Sequence, residues 1–280
     1  MIQVPASIVS CEWLKENFNQ SNLIVLDATI QKVTGKSNQQ KPQNTRILKA
    51  RFFDIKGSFS KVNAKYPNTM ISPEDFEKEA QSLGINQDSC LVIYDQLGIY
   101  SSPRAWYMFH SLGFKNVAVL DGGLPLWIQK GYETEEIIKN TFDDGDFKVT
   151  SNDKKFLSSK DVLELLSDSN HLILDARSLG RFLGTDPEPR TNVRSGRIPN
   201  SKSLPYVNLV SEYQLKSNNK LKSLFLELNP ENKPMVFSCG TGITACVLAL
   251  AANSLEYQNF KVYDGSWTEW GSEVNLPIEV

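Results

Sequence analysis

Histidine is nearly absent from this chain of 280 residues, which has only His110 and His171, and its four cysteines, Cys11, Cys90, Cys239 and Cys246, include no CxxC pair. So little imidazole leaves scant material for a His-rich metal site or a Cys–His catalytic pair, and a reactive cysteine here needs another means of activation. The cysteine spacing suggests neither a disulfide framework nor a zinc knuckle, which fits a reducing cytoplasm; a removed transit peptide leaves a mitochondrial location open. No apolar stretch approaches the ~20 residues that cross a bilayer, and the N-terminal MIQVPASIVSCEWLKENF meets charge before a long apolar run develops. Lysine plus arginine (30) nearly balance aspartate plus glutamate (32), with no basic run, so neither nucleic acid nor an anionic membrane is expected as a partner. Neither a metal nor a cofactor is expected.

With 40% hydrophobic and 22% charged residues, the composition is that of a globular protein, long enough for two domains with a core each. The second half repeats the first. LIVLDAT, containing Asp27, answers to LILDARS with Asp175 at an offset of 148; Asp95 in LVIYD answers to Cys239 in MVFSC at 144; Asp121 and Trp127 answer to Asp264 and Trp270 at 143. The short Val/Ile/Leu-rich runs alternate with segments of helical length such as PEDFEKEAQSLG, SPRAWYMFHSLG and ITACVLALAANS, a pattern that implies parallel sheets covered by helices on both faces. The expected fold is α/β, in two tandem domains of one design. Residues 1–138 form the first domain, the polar, acidic stretch 139–156 a linker, and 157–280 the second domain. Trp106, Trp127 and Trp270 read as core residues.

One junction stands out. MVFSC ends at Cys239 and runs into GTGITA before a helix begins. In an open parallel sheet such loops deliver backbone N–H groups and a positive helix end to one point, where a thiolate is stabilised. Gly240 and Gly242 allow a tight curl around the sulfur. The alternative is a buried strand-end cysteine followed by an ordinary turn, the reading kept for Cys11, Cys90 and Cys246. A phosphatase built on such a loop requires an arginine six positions after the cysteine; that position is Ala245.

CGTGITAC (239–246), RSLGRFLGTDPEPR (177–190), YDQLGIYSSPRAWYMF (94–109) and the pair LDGGLPLW and YDGSWTEW together resemble the two-domain rhodanese family, and within it the members that take 3-mercaptopyruvate as sulfur donor. The resemblance implies two rhodanese-like domains, a first one silenced by Asp95, and a second in which Cys239 attacks the donor sulfur, releases pyruvate and holds a persulfide. Gly240, Gly242, Ile243 and Thr244 would cradle that persulfide, with Thr241 assisting, and thioredoxin or a small thiol would accept the sulfur. Thiosulfate as donor is a second reading, disfavoured because Gly240 and Thr241 stand where thiosulfate-using members carry cations; a persulfide carrier fed by a partner protein is a third.

The resemblance also matches Arg181 and Arg190 to positions that hold the donor carboxylate and keto oxygens, as suits the forked, permanently charged guanidinium. The plain reading is of surface arginines paired with Asp186 or Glu188. A proton relay of serine, histidine and aspartate is matched only in part. Thr241 stands at the serine and Asp54 at the aspartate, itself equally a strand-end or turn residue, while Asn68 or Thr69 stands where the histidine is expected.

Overall fold

The computed structural model describes residues 1–30, 44–138, 140–151, 153 and 155–280. It divides into two units. The first comprises Met1–Val62, Met70–Asp153 and Glu212–Leu215; the second comprises Asn63–Thr69, Lys154–Ser211 and Lys216–Val280.

The first unit is built on a five-stranded parallel sheet of β1 (Ile8–Val9), β2 (Leu23–Asp27), β3 (Arg51–Phe52), β4 (Cys90–Tyr94) and β5 (Val117–Leu120), in the order β1-β5-β4-β2-β3. The second holds β6 (Phe156–Leu157), β7 (Leu172–Asp175), β8 (Lys202–Ser203), β9 (Met235–Ser238) and β10 (Phe260–Tyr263), in the order β6-β10-β9-β7-β8. Counted within each unit, the two orders are the same. Every residue of β4 and β9 is buried, as expected of central parallel strands with helices on both faces. Register repeats with topology: Asp27 lies beside Tyr94 in one sheet and Asp175 beside Ser238 in the other.

Local chemistry sets the helix starts. Ser72 caps Pro73–Ser82 by accepting from the Asp75 amide, and Ser158 with Asp161 forms a reciprocal capping box on Ser159–Leu165. The cores are aromatic. Phe53, Phe59, Phe76 and Phe109 are buried in the first unit, and Tyr263, Trp267 and Trp270 in the second. Trp106, Trp127 and Trp270 are all core residues, at most 1% exposed. Among its described residues the acidic stretch 139–156 has one buried apolar anchor: Phe147, with its ring 5.9 Å from Phe76 and 5.7 Å from Phe109, and its amide donating to the Ile85 carbonyl. Lys139, Asn152 and Lys154 of that stretch lie outside the described residues. Among the described residues no helix is long and apolar enough to cross a membrane.

Candidate active site

At the carboxyl end of β9 the chain turns through residues 239–244 into the helix Ala245–Ser254, eight of whose ten residues are buried. The turn depends on Gly242 at φ 74°, in the left-handed region that side chains disfavour. The loop is closed from below by a residue the sequence reading passed over. Ser266 Oγ accepts from the amides of Cys239 and Gly242, each at 3.1 Å, and donates to the Tyr263 carbonyl at 2.8 Å. Its one proton is thereby committed, so at 3.9 Å from the Cys239 sulfur it has nothing to give that sulfur. Two further bonds, from the Trp267 and Thr268 amides to the Cys239 and Gly240 carbonyls, fix the loop to the helix Ser266–Ser272.

Cys239 is 1% exposed. A purely structural cysteine shows the same burial, so what surrounds the sulfur decides. Among the described residues the amides of Thr241, Ile243, Thr244 and Ala245 donate to no protein acceptor. Ile243 and Ala245 are buried, and buried amides seldom remain unsatisfied. The first unit shows what such a loop holds. Asp95, fully buried, takes the place of Cys239: its Oδ1 accepts from the Leu97 amide, and its Oδ2 accepts from the amides of Tyr100, Ser101 and Ser102, all at 2.9 Å, and from the Ser102 hydroxyl at 2.7 Å. At the offset of 144, Leu97, Tyr100 and Ser101 correspond to Thr241, Thr244 and Ala245. In the first loop these donors meet the Asp95 side chain; in the second the corresponding amides of Thr241, Thr244 and Ala245 have no protein acceptor among the described residues.

The cysteines differ in setting. Burial pushes the Cys11 thiol up to about 12 and the Cys90 thiol up to about 11, so both stay protonated at working pH. Cys246 is buried with its S–H directed at the Gly242 carbonyl, 3.3 Å away.

Arg181 lies beside the loop. A Cβ on Gly240 would stand 3.3 Å from Arg181 Nη2, so the guanidinium rests against the residue following the cysteine. It is held by Glu188, to which Nε and Nη2 donate at 3.2 and 2.6 Å, and Glu188 also receives Arg177 Nη1 at 2.8 Å. Arg177 is buried, paired with Asp175 at 2.7 Å and stacked 4.3 Å over the Trp267 ring. Two guanidinium groups thus face the two carboxylates of Asp175 and Glu188. Pairing with Glu188 was the plain reading of Arg181, yet the pair is no surface contact: the Glu188 side chain is 4% exposed and the Arg181 side chain 15%. Arg190 is half-buried two residues beyond Glu188 in the irregular stretch after the helix Leu179–Phe182.

Of the relay positions, Asn68 and Thr241 meet, with Asn68 Nδ2 donating to the Thr241 carbonyl at 3.3 Å, whereas the Thr69 hydroxyl donates to the Tyr66 carbonyl at 2.8 Å. Asp54 belongs to the first unit, just past β3, where Oδ1 accepts from the Gly57 amide at 2.9 Å and closes a turn. His171 bonds Asp168 at 2.6 Å ahead of β7, at the opposite end of its sheet, and His110 stacks on Trp106 in the first unit.

Ser266 had one signal in the sequence. The first half reads LDGG where the second reads YDGS, and the serine replaces Gly123, both residues having φ near 50°.

Comparison with known proteins agrees with the duplicated fold. The model of the rhodanese-like domain matches twice, over residues 10–130 and 158–273. The chain is 34% identical to 3-mercaptopyruvate sulfurtransferase of Escherichia coli over 275 residues, covering 97% of each protein. It is 35% identical over 295 residues to the mitochondrial thiosulfate/3-mercaptopyruvate sulfurtransferase 1 of Arabidopsis thaliana, covering 97% of this chain and 78% of that one. The crystal structure of a 3-mercaptopyruvate sulfotransferase from Escherichia coli superposes with a TM-score of 0.82 at 32% identity, over 94% of this chain and 99% of that one.

Proposed function

The chain belongs to the rhodanese family, whose members are sulfurtransferases, and from that premise we propose that it moves sulfane sulfur from 3-mercaptopyruvate to a thiol acceptor through a persulfide on Cys239. In the first half-reaction the Cys239 thiolate attacks the donor sulfur. The electron pair of the broken carbon–sulfur bond stays on carbon as the enolate of pyruvate, which takes a proton and leaves. In the second, the thiolate of thioredoxin or of a small thiol attacks the outer persulfide sulfur and returns Cys239 to its thiolate. The loop amides stabilise the sulfur anion in both states, without an imidazole.

The observation that carries the choice of donor is the Arg181 guanidinium beside a loop whose own residues Gly240, Thr241, Gly242, Ile243 and Thr244 bear no charge. One fork suits a monocarboxylate, whereas a thiosulfate dianion would meet no cation from the loop. Arg190 serves as the second carboxylate and keto ligand in this reading. Thiosulfate is the competing donor, since the Arabidopsis relative is named for both. Incubation with each donor in turn tests the choice. Mercaptopyruvate is expected to release pyruvate and add one sulfur to Cys239 by mass spectrometry; faster sulfite release from thiosulfate overturns it.

Replacing Arg181 by alanine is expected to raise KM for mercaptopyruvate by about 10- to 100-fold with a smaller effect on kcat, the loss of one charge-assisted fork. Arg190→Ala should act in the same direction. Unchanged kinetics in both variants dismisses them as ligands. Thr241→Ala, which removes a hydroxyl but no loop amide, is expected to slow persulfide formation about 10-fold in single-turnover measurements. A loss as complete as that from removing Cys239 would give the hydroxyl an essential part in proton transfer.

A further inference from the structure

The peptide unit joining Thr241 to Gly242 is gripped at both ends. Its N–H, on Gly242, donates to Ser266 Oγ at 3.1 Å, and its carbonyl, on Thr241, accepts from Asn68 Nδ2 at 3.3 Å. In a trans peptide these two groups point in opposite directions, so the two partners together fix the rotation of the plane. That rotation matters for an anion. Turning the plane over would point the carbonyl where the Gly242 N–H now points, at Ser266 Oγ, which lies 3.9 Å from the Cys239 sulfur. A carbonyl dipole there repels a negative sulfur.

Asn68 is suited to the task. It is 8% exposed and sits at φ 60°, a left-handed backbone that asparagine tolerates better than most residues. Its segment, Asn63–Thr69 of the second unit, is tied down by the Tyr66 hydroxyl and the Lys65 ammonium, both bonded to Glu273 Oε1. We propose that Asn68 is a positioning residue for sulfur transfer, its carboxamide holding the Thr241 carbonyl away from the anion with a donor that does not titrate. The inference rests on the reading of Cys239 as the sulfur carrier, deepening it by naming what keeps the cradle open without a histidine.

Among the described residues the charged and titratable groups around this arrangement include Cys239 itself, Cys246 with its S–H on the Gly242 carbonyl, Arg181 with Glu188 beside Gly240, Lys65, Tyr66 and Glu273 on the anchoring side, and Tyr263 beneath Ser266. Hydrogen bonds from Lys65 and Tyr66 hold Glu273 below the usual carboxylate range, and burial pushes Tyr66 and Tyr263 up. These last three groups keep one charge state through the neutral range.

Three substitutions that suit the left-handed backbone test the proposal: Asn68→Gly, Asn68→Asp and Asn68→His. Persulfide formation is followed in single turnovers between pH 5 and 8, and alkylation of Cys239 by iodoacetamide is followed in parallel. Asn68→Gly should lower both rates about 10-fold, and Asn68→His, whose neutral ring retains one N–H donor, should stay within about 3-fold of wild type. Asn68→Asp should lose about 100-fold at pH 8, where a carboxylate faces the carbonyl. Its rate relative to wild type should recover on acidification as the carboxyl regains a proton to donate. A general structural defect gives a ratio independent of pH, and that result overturns the proposal, as do wild-type rates in both the Gly and Asp variants. If no donor loads the wild type while alkylation ranks the variants as expected, the sulfur-transfer reading fails and takes the role in sulfur transfer with it, while the hold of Asn68 on Cys239 reactivity stands. If all variants load and alkylate alike, the positioning role fails and the sulfur-transfer reading stands.

Discussion

Replacing Cys239 by serine is expected to abolish sulfur uptake from either donor, by at least about 10⁴-fold in turnover, and to leave no added sulfur anywhere on the protein. Serine keeps the size and the loop hydrogen bonds but supplies a hydroxyl that is scarcely ionised near neutrality, so the cradle is left without an anion to hold. No other thiol substitutes for it. Burial raises Cys11 to about 12 and Cys90 to about 11. Cys246 lies closest in sequence, but it is fully buried with its S–H on the Gly242 carbonyl. Intact-mass measurement after mercaptopyruvate treatment, followed by peptide mapping, checks this. A persulfide at Cys246 in the Cys239→Ser protein would move the chemistry one turn into the helix and leave the loop as a scaffold.

What could be read from the sequence follows from how local each signal is. The parallel strands are short Val/Ile/Leu runs whose burial on both faces removes any need for alternation, so β2, β4, β5, β7, β9 and β10 are visible directly, and the constant offset predicts that they assemble alike twice. The two-residue edge strands β3 and β8 are too short to show a period. The strand–cysteine–glycine junction is legible because backbone curl and helix start are encoded within eight residues. The bond between Asn68 and Thr241 spans 173 positions and leaves no local trace; only the resemblance, by missing its histidine, draws attention to that place. Arg181 is an intermediate case. Its partner Glu188 is seven residues away and foreseeable, but the fully buried Arg177 between Asp175 and Glu188 depends on the Trp267 ring brought in by another element. Asp54 is the reverse case. A family position suggests chemistry, and the turn its carboxylate closes with Gly57, three residues on, is the local role the sequence also offered.

Removing the carboxylate of Asp95 should cost the first unit about 3–5 kcal/mol, more than any other single change considered, although Asp95 carries no sulfur in this reading. Four amides and one hydroxyl converge on that side chain in a site sealed from water. Asp95→Ala strands all five donors at once. For a unit of this size the loss lowers the melting temperature by roughly 10 °C, measured on the transition that a buried-tryptophan probe such as Trp106 or Trp127 reports. Asp95→Asn separates shape from charge. The carboxamide fills the same volume, but its NH₂ must face either the Leu97 amide or the cluster at Tyr100, Ser101 and Ser102, donor against donor. About half the destabilisation should therefore remain. A melting temperature unchanged in Asp95→Ala would mean that the donors find other partners at little cost, and the first loop would no longer show what the second has to offer an anion. The expected loss means the opposite: the first loop depends on the acceptor at its centre, which the choice of aspartate fixes. In the second loop, of the same curl, the occupant we propose is the sulfur of Cys239 and then its persulfide.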